Sequence, residues 1–197
     1  MRSVELILAS ASPRRKMLLE QIGYTFTIQP SHVEEPPFQG GDPAAYATSL
    51  AHLKASEIAE IEPASLIIGS DTIVVVDDNV LGKPVDRESA FGMLTMLSNR
   101  RHRVITAYSF HLKALGIQES HYVSTQVHFK HLQKDEMNKY IETGAPFDKA
   151  GAYGIQDYSS IFVDSIEGCF YNVVGLPLSD LDSKLKDLLS RHSLTLN

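Results

Sequence analysis

Strand-like and helix-like segments alternate along this chain of 197 residues. Apolar runs at 65–69 and 73–76 predict two buried strands, separated by a break at 70–71. Strand-rich stretches at 103–115 and 118–131 are joined by a short connection, which favours an antiparallel pair. The other predicted elements are strands at 4–9, 24–29 and 161–165, and helices beginning at about 13, 43, 87, 133 and 177. This mixture predicts an α/β fold with a mixed sheet.

The first predicted helix begins in a segment that is suited to binding an anion. Ser12 can act as the N-cap, and Pro13 suits the first helical position because its missing N–H would be unpaired there. The unpaired N–H groups of this helix start would lie near Ser10, Arg14 and Arg15, a combination that favours phosphate. The alternative is an ordinary capped helix whose arginines are solvated.

Acidic side chains follow or interrupt predicted strands at two places. Asp71 lies between two strongly apolar runs, where a carboxylate is costly to bury unless it is paired, hydrogen-bonded or bound to a metal. Glu34 and Glu35 lie in a predicted loop just after a strand. Together these carboxylates could hold a hard divalent cation such as magnesium on a phosphate substrate. The alternatives are a turn aspartate with local backbone bonds and a pair of solvated glutamates.

Cationic side chains at element ends or in Gly/Pro-bearing loops could balance the charge of a phosphate ligand. They are Arg14, Arg15, Lys54, Lys83 and Lys149. The last of them opens the segment KAGAYGIQ, in which Gly151 and Gly154 allow unusual backbone angles. In the same segment Tyr153 could stack on a base and Gln156 could hydrogen-bond to a base edge. The alternatives are surface lysines and a tight connection into the last strand.

The overall composition limits the possible partners. The formal net charge of -6 argues against broad nucleic-acid binding, which needs a basic surface. The single cysteine excludes an internal disulfide, and no stretch approaches the length of a membrane span, so we expect a cytoplasmic protein without membrane contact. No GxGxxG follows the first strand, and the chain lacks a P-loop sequence.

Taken together, the motifs resemble the Maf family of nucleotide pyrophosphatases. The resembling stretches are LASASPRRKMLL near the start, VEE at 33–35, GSDTIVV at 69–75, LGKP at 81–84, TAY at 106–108, DKAGAYGIQ at 148–156 and VVGLPL at 173–178. The resemblance implies a single domain, residues 1–197, with two lobes around a central cleft, as in the inosine triphosphate pyrophosphatases. It also implies cleavage of nucleoside triphosphates to monophosphate and pyrophosphate, a divalent cation (Mg²⁺ or Mn²⁺) and a homodimer.

The resemblance assigns roles to particular residues. Asp71 corresponds to the proton acceptor that activates the attacking water. Positions linked to substrate choice are Arg14, Thr72 and Gln156, and further cleft positions are Ser10, Arg15, Glu35, Lys54 and Lys83. From the residues themselves, Asp71 could act as base or as metal ligand, with Glu35 as a second ligand and Lys149 as a further phosphate contact.

Within the family, Asp71 and Thr72 followed by AGAYGIQ resemble the branch that acts on dTTP and UTP. The chain departs from the family pattern in two places: Asp157–Ser159 replace the usual glycines after Gln156, and Asn172 replaces a small residue. The alternative functions are a pyrophosphatase for 7-methyl-GTP or another non-standard nucleotide, and a non-catalytic nucleotide-binding regulator of cell division or septum formation.

Overall fold

The computed structural model describes residues 2–197, and the α/β class with a mixed sheet is confirmed. The strands are β1 (Arg2–Val4), β2 (Leu6–Leu8), β3 (Thr27–Ile28), β4 (Leu66–Val76), β5 (Asn79–Leu81), β6 (Arg101–Leu112), β7 (Ile117–Phe129), β8 (Val163–Glu167) and β9 (Leu194–Leu196). The α-helices are α1 (Pro13–Gln21), α2 (Pro43–Ile61), α3 (Arg87–Leu97), α4 (Lys134–Glu142), α5 (Phe170–Val174) and α6 (Leu178–Arg191). Short 3₁₀ helices cover Lys113–Leu115, Ala145–Asp148, Ala150–Ala152 and Tyr158–Phe162.

The main sheet has the strand order β3-β2-β4-β6-β7-β8, with β5 paired to β4. β2 is parallel to both β3 and β4, whereas β5 is antiparallel to β4 and β8 is antiparallel to β7, which makes the sheet mixed. β1 and β9 form a separate parallel pair. The strand predicted at 4–9 is therefore wrong in one respect: Glu5 separates two short strands that belong to different sheets.

The break predicted at 70–71 is also wrong, because β4 continues from Leu66 to Val76. Ser70 is fully buried, and its hydroxyl donates to the carbonyl of Ala107 at 2.8 Å. A buried polar side chain with such a partner fits inside a strand, so the two polar residues do not interrupt the ladder.

By its contacts the chain divides into two compact units. The first comprises the residues up to Asp71, Thr106–Val123 and Gly175–Asn197, and the second comprises Thr72–Ile105 and Ser124–Val174. The predicted arrangement of one domain with two lobes around a cleft remains a prediction.

Each unit has an apolar core of its own. In the first unit α2 packs on β2 and β4 through small and branched side chains, among them Ala55, Ile58, Ile7 and Ile67. In the second unit a larger cluster joins α3 and α4 to the strands, and its members include Leu94, Val104, Phe129, Tyr140 and Phe162. These cores hold in place the elements that carry the predicted site residues.

Candidate active site

The start of α1 has the predicted local geometry. Ser12 is the N-cap, its hydroxyl accepts from the backbone N–H of Arg15, and Pro13 is the first helical residue. Pro13 lacks an N–H, and this position is one where an N–H would have no partner within the helix. The predicted helix start is confirmed.

Arg15 turns back from α1 towards the end of β2. Its Nη1 donates to the hydroxyl of Ser10 at 3.1 Å, and its Nε donates to the carbonyl of Gly175 at 3.1 Å. Burial lowers the pKa of Arg15; the negative charges of Asp71 and Glu35 oppose this effect, and the charge of Arg14 adds to it. A guanidinium stays protonated at neutral pH, so the structure holds a fixed positive charge among these side chains.

Three side chains of the first unit form the centre of the candidate site. The Nζ of Lys54 lies 2.6 Å from Oδ1 of Asp71 and 2.7 Å from Oε1 of Glu35. The side chains of Lys54 and Asp71 are only 14% and 11% exposed, whereas that of Glu35 is 49% exposed. Helix α2 contributes the lysine, β4 contributes Asp71, and the loop before α2 contributes Glu35.

The two carboxylates suit a hard divalent cation. Both approach the same ammonium group, so they already converge on one cation. Within residues 2–197 there is no group of three or more His, Cys, Asp and Glu side chains placed to hold a metal. Magnesium in phosphate-transfer sites is commonly held by one or two carboxylates, with substrate phosphates and water as the other ligands. Asp71 and Glu35 fit that pattern.

Arg14 lies in the first turn of α1, and the other predicted site residues lie in the second unit. Thr72 follows Asp71 directly in β4, while Lys83 and Gln156 are exposed. The N–H of Gly151 donates to the carbonyl of Gly82 at 3.0 Å. This bond brings the segment that carries Gln156 next to the segment that carries Lys83.

The ammonium of Lys149 is engaged within its own segment. It donates to the carbonyl of Ala145 and to Asp148, each at 2.6 Å, and it lies 3.3 Å from Asp157. Asp157 is one of the residues that depart from the family pattern, and it also accepts from the N–H of Ser159. In this structure Lys149 therefore holds its own segment together, and its phosphate-binding role stays a prediction.

Tyr153 is not available for stacking on a base, contrary to the sequence-based expectation. It is only 5% exposed, and its hydroxyl shares a 2.7 Å hydrogen bond with Nε2 of His102. The ring also packs edge-on against Phe129, with 4.7 Å between the ring centroids. The apolar neighbours that bury this ring are contributed by distant parts of the chain, so the local sequence gave no sign of them.

The buried His102 makes the stability of the protein depend on pH. Burial, with a smaller contribution from the charge of His128, lowers the pKa of His102 from 6.5 to about 4. Between these two values the unfolded chain binds a proton that the folded chain does not, so stability falls as the pH falls. We expect the protein to lose about 2–3 kcal/mol from this residue between pH 7 and pH 4.5.

Urea unfolding of wild type and His102→Gln at both pH values measures this loss. The variant is expected to show a shallower dependence on pH, because the glutamine does not titrate. His111 also has a pKa of about 4, lowered by burial and by the charge of His52. It is present in both proteins, so it adds the same pH dependence of stability to each. Equal slopes for the two proteins would contradict the prediction.

Two further side chains of α2 reach the loop that carries Glu35, and the sequence analysis did not single them out. The hydroxyl of Tyr46 donates to the carbonyl of Pro36 at 2.9 Å, and the carboxylate of Glu57 accepts from the N–H of His32 at 2.8 Å. The available sequence signal was their spacing, because both lie on the same face of α2 as Lys54.

The fold and this cluster define a class of protein. It is an α/β protein in which two carboxylates, a lysine and a partly buried arginine converge beside a helix start, and this arrangement suits a polyphosphate with a divalent cation. The sequence model of the Maf-like protein family matches residues 5–188. The chain therefore belongs to the Maf-like protein family.

Named relatives agree with this membership. The chain is 46% identical over 184 residues to a dTTP/UTP pyrophosphatase from Geobacillus sp. (strain WCH70). The aligned residues cover 93% of this chain and 98% of that protein. It is also 44% identical over 181 residues to a dTTP/UTP pyrophosphatase from Desulforamulus reducens. These aligned residues cover 92% of this chain and 95% of that protein.

A solved structure, a HAM1 protein from Coxiella burnetii, is similar to the chain with a TM-score of 0.51. The two chains are 13% identical over 93% of this chain and 99% of the other, so the likeness concerns the fold. None of the helices among residues 2–197 combines the length and the apolar character that a membrane crossing requires.

Proposed function

We propose that this protein is a nucleoside triphosphate pyrophosphatase that hydrolyses dTTP and UTP to the monophosphate and pyrophosphate. The observation that carries the proposal is the contact of one lysine, Lys54, with both Asp71 and Glu35. The names of the relatives, which match nearly the whole chain, support the choice of substrate.

Hydrolysis requires a water molecule to attack the α-phosphorus while the bond to the β-phosphate breaks. In our proposal Asp71 accepts the proton of that water, the new P–O bond forms on the α-phosphorus, and pyrophosphate leaves with the electron pair of the broken bond. The mostly buried β4 position gives the carboxylate a defined place beside Lys54, which a carboxylate on a mobile loop would not have.

A divalent cation, Mg²⁺ or Mn²⁺, would be held by Glu35 and Asp71. When bound, it would supply charge neutralisation on the phosphate oxygens and a lower pKa for a bound water. Lys54 already lies between the same two carboxylates, so its ammonium would be next to the triphosphate and would balance part of its charge.

The cationic and polar residues around the cluster would bind the rest of the substrate. Arg15, oriented by Ser10 and by the carbonyl of Gly175, provides a fixed charge for phosphate oxygens beside the start of α1. The remaining assignments follow the family resemblance: Arg14, Thr72 and Gln156 for substrate choice, and Lys83 for phosphate contact. Lys149 is proposed as a further phosphate contact from its charge and its place in a Gly-bearing loop. By the same resemblance we propose a cytoplasmic homodimer.

Product analysis tests the proposal directly. The protein is incubated with dTTP, UTP, CTP, dATP, dGTP and 7-methyl-GTP, with Mg²⁺ or Mn²⁺ and with an EDTA control. We expect metal-dependent release of pyrophosphate together with dTMP or UMP, and little activity in EDTA, because the triphosphate charge is then not neutralised.

Two other results would contradict the proposal in different ways. Pyrophosphate released only from 7-methyl-GTP would retain the chemistry but overturn the assignment of Thr72 and Gln156. Nucleotide binding without turnover of any substrate would favour the non-catalytic regulator.

A further inference from the structure

Glu35 is half exposed and lies in a segment without regular structure. This segment, residues 29–42 between β3 and α2, is here called the Glu35 loop. A side chain in such a loop samples many positions unless other contacts hold the backbone. Restricting it to one position costs conformational entropy. The contact of Glu35 with Lys54 therefore depends on how the loop itself is held.

On the N-terminal side of Glu35, the loop is held by Glu57 of α2. Its carboxylate accepts from the hydroxyl of Ser31 and from the backbone N–H groups of His32 and Val33, the last two at 2.8 and 3.1 Å. These hydrogen bonds lower the pKa of Glu57, so the carboxylate is charged at neutral pH and remains an acceptor. Hydrogen bonds to a charged acceptor are stronger than those between neutral groups.

On the C-terminal side of Glu35, the loop is held by Tyr46 of the same helix. Its hydroxyl donates to the carbonyl of Pro36 at 2.9 Å, and its ring lies 5.2 Å from that of Phe38, centroid to centroid. Burial and the charges of Asp71 and Glu35 raise the pKa of Tyr46, which keeps its hydroxyl protonated as a donor. Pro36 follows Glu35 directly, so this bond fixes the backbone next to the carboxylate.

The spacing of these residues explains how one helix makes all the contacts. At about 100° per residue, Lys54 lies about 80° and Glu57 about 20° around the helix from Tyr46. All three side chains therefore project from one face of α2. Another part of the helix surface packs on the sheet. It carries the buried alanines of α2, which are Ala47, Ala51, Ala55 and Ala59.

We propose that Tyr46 and Glu57 are positioning residues that hold the Glu35 loop against α2 on both sides of Glu35. They place the Glu35 carboxylate against Lys54 and beside Asp71. The consequence for catalysis rests on the proposed function, whereas the positioning of the loop can be measured without it.

Amide hydrogen exchange measures the positioning directly. In Glu57→Ala the N–H of His32 loses its acceptor, whereas the N–H of Val33 keeps only the hydroxyl of Ser31 at 3.3 Å. We expect both amides to exchange faster, that of His32 by about tenfold or more. Glu57→Gln retains one acceptor oxygen and should restore part of the protection. The matched control is Glu60→Ala, which removes a carboxylate on the same helix that pairs with Lys113 and should leave these amides unchanged.

A double-mutant comparison tests whether the two residues act through Glu35. Glu57→Ala and Tyr46→Phe are each expected to lower pyrophosphate release and to raise the Mg²⁺ concentration needed for half-maximal activity, by about threefold to tenfold. In a Glu35→Gln background the same changes should have no further effect, because the group that they position has already lost its charge.

The outcomes separate this inference from the proposed function. Unchanged exchange at His32 and Val33 in Glu57→Ala overturns the positioning role. A loss of activity that persists in the Glu35→Gln background overturns the action through Glu35. Wild-type protein without pyrophosphatase activity refutes the proposed function, and the exchange experiment still decides how the loop is held.

Discussion

Asp71→Asn is expected to lower the rate of pyrophosphate release by about 10²–10⁴-fold, the usual contribution of a positioned general base. Asparagine has nearly the same size and shape, but it cannot accept a proton from water. It also removes one of the two carboxylates that contact Lys54, while the contact between Lys54 and Glu35 is retained. The ammonium is therefore not left without a partner, and the fold should survive the change.

Steady-state assays with dTTP, together with calorimetric nucleotide binding and a thermal melt, measure this effect. The control is Asp78→Asn at the exposed turn between β4 and β5, where the backbone is left-handed with φ of 64°. Asparagine tolerates that conformation, so the control should keep full activity and stability. An Asp71→Asn protein with more than about a tenth of wild-type activity would refute the assignment of the base, given the usual size of that contribution.

Gly69→Ala is expected to have the largest effect on stability. A Cβ at Gly69 would lie 2.4 Å from the carbonyl oxygen of Ala51 and 2.5 Å from the N of Ala55. Both are backbone atoms of α2, so no side-chain rotation can relieve the contact, and the helix or β4 must move. Overpacking of this kind costs about 1–3 kcal/mol, and we expect the upper end of that range.

Thermal and urea unfolding compare Gly69→Ala with Gly92→Ala. Gly92 lies within α3, and a Cβ there has no neighbour within 4 Å apart from the adjacent backbone of its own helix. Because alanine has a higher helix propensity than glycine, the control should be stabilised by about 0.5–1 kcal/mol. The displaced α2 also carries Lys54, so Gly69→Ala should lose activity even at temperatures where it remains folded. A melting temperature equal to that of wild type would contradict the prediction.

Local signals in the sequence predicted the helix starts well. Asp42 and Asp86 cap α2 and α3 at the starts predicted near 43 and 87, and each accepts a backbone N–H within the first turn. Such caps depend on residues three or fewer positions apart, so a short stretch of sequence contains all the information. The signal was weaker for strands: Tyr24 to Gln29 alternates like a strand, yet β3 covers only Thr27–Ile28.

Long-range contacts account for the features that the sequence analysis missed. β9 at Leu194–Leu196 exists by pairing with β1, at the other end of the chain. Asn172, a departure from the family pattern, is fully buried and donates to the carbonyl of Val104 and to the hydroxyl of Thr125. A buried amide is stable when such partners are present, and partners so distant in sequence cannot be recognised from the residue itself.

The sequence by itself determined the α/β class, the helix starts and the residue types of the candidate site, because these depend on local patterning and on motifs of a few residues. Only the tertiary structure decided that one ammonium, that of Lys54, contacts both Asp71 and Glu35, and that Tyr46 and Glu57 reach the Glu35 loop. The physical reason is packing: the small side chains between α2 and β4 set the distance between helix and sheet, and that distance determines which charges meet.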